Sequence, residues 1–209
     1  MTALALVLAL TGAGATPLTG VWSGMLNFAG SPLLFVMTIA QSHGKLTATA
    51  TSPYQSDTPI AVDTLSSDDG TLSFTIEKLG VTYKGTIGNG SISGTFTQNG
   101  ISVPLVMTPS SVGTSDLGGT WLGSLALPNG SLLLALHVTH ADGGLAATLD
   151  SPYQKGFSIP VTSIASANGS LTFAIGSLKA NYTGKIGPTS IAGTFTQNGE
   201  RFPLTFARP

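Results

Sequence analysis

From Ser91 to Asn99, apolar residues and glycine take every second place: Ile92, Gly94 and Phe96, with Ser93, Thr95 and Thr97 between them. A period of two sends alternate side chains to opposite faces of a strand, here one dry and one wet. Asn99-Gly100 follows, two residues that tolerate the positive φ of a tight hairpin turn. The stretch returns as Ser190 to Asn198, closed by Gly199, with Ala192 in place of Ser93 as its one change.

The recurrence runs through most of the chain. Residue n matches residue n+99 without a gap from Leu18 onward, and roughly 40% of the pairs are identical. Trp22 pairs with Trp121, Ser52-Pro53-Tyr54-Gln55 with Ser151-Pro152-Tyr153-Gln154, and Tyr83 with Tyr182. Each copy reads as about eight short strands, in the first copy approximately 20–28, 32–41, 45–51, 59–65, 71–77, 81–87, 91–97 and 101–108. Turn residues separate them, among them Ser42-His43-Gly44 and Asp69-Gly70. Such short connections rule out parallel crossovers, so the strands form an antiparallel meander. Closure removes two aggregation-prone edges, which predicts an all-β chain of two tandem eight-stranded antiparallel meander barrels.

The expected inner face is almost wholly apolar: Trp22, Leu26, Phe35, Met37, Leu72, Phe74, Ile92, Phe96, Leu105 and Met107 represent it in the first copy. So many large residues favour a filled interior over a ligand chamber. Gly24, Gly85 and Gly94 share that inward register, as kinks at barrel corners or as room for a ligand. The second strand breaks the alternation, because Leu33 to Ala40 and Leu132 to Ala135 are apolar at successive positions. A strand apolar on both faces is covered by something. Leu34, Val36, Leu133 and Ala135 are therefore expected at an interface, between the two barrels or with a partner.

Composition narrows the functional classes. Charged residues make 8% of the 209-residue chain against 42% hydrophobic, and the net charge is -1. Ser, Thr and Gly must supply most of the wet surface, which suits strands and not disorder. With no basic stripe, nucleic acid and anionic membrane surfaces are poor partners, and strands shorter than the ~9–11 residues a bilayer needs make stable membrane insertion unexpected. The chain has no cysteine, which excludes disulfides, thiolate metal sites and cysteine nucleophiles. Ala3 to Leu10 is an apolar run, followed by Ala13-Gly14-Ala15. That pattern predicts a secretory signal peptide over 1–15 and a secreted or periplasmic protein. Barrel repeats at 18–109 and 117–209, joined by a small-residue linker at 110–116, complete the organisation.

Several motifs together resemble a known module. These are Gly-x-Trp-x-Gly at the start of the meander, Thr148 to Gln154, Ile159 to Val161, and Gly-Thr-Phe-Thr-Gln-Asn-Gly with a closing Pro-Leu-Thr-Phe. They are similar to the small β-barrel module found N-terminal to the catalytic domain in secreted bacterial α/β-hydrolases and serine hydrolases. The first copy departs from it, with Ala50-Thr51 for Leu-Asp and Ala61 for the proline. The resemblance implies an extracytoplasmic accessory role and brings no catalytic residue to this chain.

The candidate ligand-binding residues are Tyr54, Gln55, Tyr153 and Gln154 beside the Ser-Pro corners, and the inward Tyr83 and Tyr182. A tyrosine next to a rigid proline presents a flat ring and a hydroxyl, while a buried phenol needs a partner. His43, His137 and His140 have no spacing that makes a metal site, and no Gly-x-Ser-x-Gly nucleophile motif is present. The expectation is a non-enzymatic protein without cofactor or metal, docking to a partner enzyme or envelope component. Its alternatives are a lipocalin-like carrier of a small apolar ligand in each barrel and an outer-membrane β-barrel.

Overall fold

The period-two pattern folds as it reads. A computed structural model describes residues 18–28, 30–88, 90–110, 116–127 and 130–209. The expected signal peptide and most of the linker lie outside the described residues. Each repeat forms one curled antiparallel sheet of nine strands. The first contains β1 (Gly20–Phe28), β2 (Ser31–Ser42), β3 (Lys45–Ser52), β4 (Ser56–Ala61), β5 (Thr64–Asp68), β6 (Thr71–Ile76), β7 (Val81–Gly88), β8 (Ser91–Gln98) and β9 (Ile101–Pro109). The second repeats them as β10 (Gly119–Leu127), β11 (Gly130–Ala141), β12 (Gly144–Ser151), β13 (Gly156–Pro160), β14 (Ser163–Ala167), β15 (Ser170–Ile175), β16 (Ala180–Ile186), β17 (Ser190–Gln197) and β18 (Glu200–Ala207).

The first strand of each unit pairs with the last, β1 with β9 and β10 with β18. The ends of the sheet order are instead β4 and β5 in one unit and β13 and β14 in the other. Nine strands appear instead of eight because the expected fourth strand divides. Val62 N–H donates back to Ala48 of β3, and the next residue, Asp63, donates across to Thr75 of β6. Val161 and Thr162 do the same toward Ala147 and Ala174. One peptide step thus carries the chain from one flank of the cylinder to the other, so neighbouring donors find different strands and the ladder breaks. The hairpins obey their turn chemistry, with positive φ at Asn99-Gly100 and Asn198-Gly199.

The interior is packed with the expected side chains. Trp22, Phe35, Met37, Phe74, Ile92, Phe96 and Leu105 gather in the first barrel; Trp121, Leu136, Phe173, Ile191, Phe195 and Phe206 gather in the second. Each tryptophan is buried in its core and satisfies its indole N–H locally, Trp22 on Leu18 O at 2.8 Å and Trp121 on Leu117 O at 2.9 Å. The second tryptophan has an extra cover, since the Arg208 guanidinium lies 4.1 Å from its ring centre.

The inward glycines make room for protein. A Cβ on Gly85 would lie 2.3 Å from the Tyr83 hydroxyl, and one on Gly94 would lie 2.2 Å from the Lys84 carbonyl oxygen. The phenol folds over its own strand, and β7 and β8 approach closely beside it. Room for a ligand, one of the two sequence expectations for these glycines, is therefore corrected: side chain and backbone take the space.

Candidate functional site

Two features stand out, one between the barrels and one inside the first. The first begins with the doubly apolar strand. Leu34, Val36 and Ala135 are 0%, 6% and 0% exposed, and they cluster with Tyr54 and the half-buried Leu133, Leu122 and Phe157. The two barrels thus cover one another along β2 and β11. Of the two expectations for these residues, contact between the barrels or contact with a partner, the packing matches the first.

A polar network sits at the edge of this apolar contact. The Tyr54 hydroxyl donates to Asp150 Oδ2 at 2.7 Å across the barrel boundary. His137 Nε2 lies 3.1 Å from the same oxygen and 3.2 Å from the Tyr54 hydroxyl. With the phenol proton directed at the carboxylate, both groups near Nε2 are acceptors, so the imidazole carries its proton there. Thr120 Oγ1 contacts Nδ1 at 3.0 Å, and Ser158 N–H donates to Asp150 Oδ1 at 2.7 Å.

Local structure explains this convergence. In the β11–β12 ladder Ala135 stands opposite Asp150 and His137 opposite Thr148, so His137 and Asp150 are diagonal neighbours on one face. The β12–β13 register slips between Leu149 and Ser151, a bulge that leaves Asp150 without a partner in β13 and lets its carboxylate accept from Ser158 N–H of that strand. Burial pushes the Asp150 carboxyl up, but bonds from His137, Ser158 and Tyr54 outweigh it and hold the group below its ordinary value. Burial, joined by the hydrogen bond to Asp150 and its charge, pushes the Tyr54 phenol far up. Every group in the network is engaged, which makes it a clamp.

The second feature is a cavity of about 260 Å³ at the end of the first barrel away from Trp22. Leu26, Phe28, Phe35, Ile76, Val81 and Phe96 supply its apolar wall. Ala50, Ser52, Gln55, Thr58 and Gln98 also line it. Ala50 is the telling position, because the second barrel has Leu149 there, 1% exposed. The Ser52 hydroxyl is buried and, among the described residues, has no hydrogen-bond partner. Its equivalent, Ser151, donates to Gln154 Oε1 at 2.9 Å.

The predicted site residues part company. Gln55 lies at the cavity rim and is exposed, while Tyr54, one residue earlier, turns the opposite way into the clamp. Tyr153 is 59% exposed and Gln154 bonds Ser151. Tyr83 and Tyr182 are core residues. Tyr83 stacks on Phe74 and Tyr182 on Phe173, and their hydroxyls donate to Ile92 and Leu105, and to Ile191 and Leu204. Burial pushes both phenols up to about 12. Backbone carbonyls thus supply the partners that the two buried phenols need. Among the described residues no group of three His, Cys, Asp or Glu side chains could hold a metal.

Sequence reasoning missed His137, Asp150 and Ser52. The repeat carried a signal for the first two, since Thr38 and Thr51 of the first copy are replaced together by His137 and Asp150.

No family model and no curated protein matches the chain. Among solved structures it is similar to a Nitrosomonas europaea protein provisionally assigned as AttH, 13% identical over 96% of this chain and 99% of that one, with a TM-score of 0.26. A likeness at that level carries no argument about function.

Proposed function

We propose that this is a non-enzymatic binding protein that holds one small, mainly apolar ligand in its first barrel. The supporting observation is the apolar cavity of about 260 Å³, which exists where Ala50 stands in place of a leucine. Its size lies above the ~150 Å³ that accommodates benzene and just below the ~300 Å³ where drug-sized sites begin. The second barrel is the scaffold. It covers β2 and, through the clamp on Tyr54, grips the loop whose neighbouring residues Ser52 and Gln55 rim the cavity. A carrier with one loaded barrel replaces the expectation of one ligand in each.

The apolar Ala3–Leu10 run, followed by Ala13-Gly14-Ala15, supports a secreted or periplasmic setting, where a hydrolase is a fitting neighbour. The wet faces of the strands, rich in exposed Thr and Ser, favour a water-borne barrel over a lipid-facing one. Among the described residues no helix is long and apolar enough to cross a membrane.

The test is titration with an anilinonaphthalene dye, on the natural chain and on Ala50→Leu, which copies the second barrel. Dye binding at micromolar levels is expected for the natural chain and is lost in the variant, with circular dichroism unchanged. An equal dye response from both proteins would remove the cavity from the account.

A further inference from the structure

The chemistry lining the cavity narrows its ligand, given the binding role proposed above. We infer that the first barrel selects uncharged ligands, each an apolar body with one hydrogen-bonding end seated on the Ser52 hydroxyl, and discriminates against carboxylates and ammonium ions of the same length.

Two observations carry this. Among the described residues, none that lines the cavity is ionisable: the polar side chains are Thr51, Ser52, Gln55, Ser56, Thr58 and Gln98. A carboxylate or ammonium drawn inside would lose its water and meet no counter-charge among the described lining residues, the costliest form of polar burial. The other observation is Ser52 itself, whose hydroxyl is buried and unpartnered among the described residues. Natural interiors rarely leave such a group unsatisfied, and one on a residue that lines a cavity marks where a ligand's polar atom would find a partner as it displaces the neighbouring side chains. The second barrel shows the satisfied version, with Ser151 bonded to Gln154. In the first barrel the matching Gln55 is exposed and does not make that bond. A hydroxyl both donates and accepts, so an alcohol, ketone or amide fits it equally well.

The experiment displaces the dye with octanol, octanamide, octanoate and octylammonium at neutral pH and fixed ionic strength, with naphthalene as a wholly apolar probe. Octanol and octanamide are expected to bind at least about tenfold more tightly than either ion. Ser52→Ala is expected to weaken octanol and octanamide by about fivefold while leaving naphthalene unchanged. Octanoate or octylammonium binding as tightly as octanol would overturn the selectivity and leave the binding role standing. Unchanged octanol affinity in Ser52→Ala would overturn the seat on Ser52. Failure of every probe, naphthalene included, would remove the binding role and this inference together.

Discussion

The two barrels have one plan and different duties. The first has Ala50 where the second has Leu149, and the cavity opens beside it. The second has His137 and Asp150 where the first has Thr38 and Thr51, and with them it reaches across to Tyr54. The tyrosines of the Ser-Pro corners diverge accordingly: Tyr54 is 6% exposed and Tyr153 is 59% exposed. A two-fold arrangement would have buried both. The packing is asymmetric, so duplication has freed each copy to change on a different face. One copy has a cavity beside Ala50; the other has a buried Leu149 at that position and carries polar groups on its outer wall.

Breaking the second interior should have the largest effect. Leu149→Ala gives the second barrel the first barrel's residue at a packed site and should cost about 2–5 kcal/mol in urea unfolding. A cost near zero would mean that the second barrel, too, has slack at this position. Asp150→Ala removes the acceptor shared by Tyr54, His137 and Ser158, and should cost about 2–3 kcal/mol. The same carboxylate predicts an acid response. Its folded pKa is lowered, so its contribution is complete above its ordinary value of 3.8 and fades as the pH falls through the lower folded value. Asp150→Asn should flatten that part of the stability profile; an unchanged acid slope would place the titrating group elsewhere. The smallest effects come from the tyrosine pair. Tyr54→Phe should cost about 1–2 kcal/mol, since Asp150 keeps two donors, while Tyr153→Phe should stay within about 0.5 kcal/mol. Equal costs would erase the asymmetry.

Much of the fold was legible because local pattern decides it. Alternation marked the strands, Asn-Gly marked hairpins, and the run Leu33 to Ala40 marked a strand covered on both sides. The break at Val62-Asp63 left only a faint trace, the apolar places slipping by one between Val62 and Leu65, because only closure sends adjacent N–H groups to opposite flanks. The site was less legible still. Tyr54 and Gln55 formed one sequence motif, yet their side chains serve different features. Tyr83 and Tyr182 looked like inward-facing ligand contacts because the sequence could not show carbonyls waiting for their hydroxyls.

The sequence by itself determined the duplicated all-β plan, its turns, its dry interior and the need to cover the second strand. Each of these depends on neighbours along the chain or on a repeat visible in one dimension. Only the tertiary structure decided which barrel would hold a cavity and which pair of outer walls would meet. A cavity is the difference between the volume enclosed and the side chains that fill it. The clamp joins residues 83 and 96 positions apart, whose meeting depends on how two finished barrels dock.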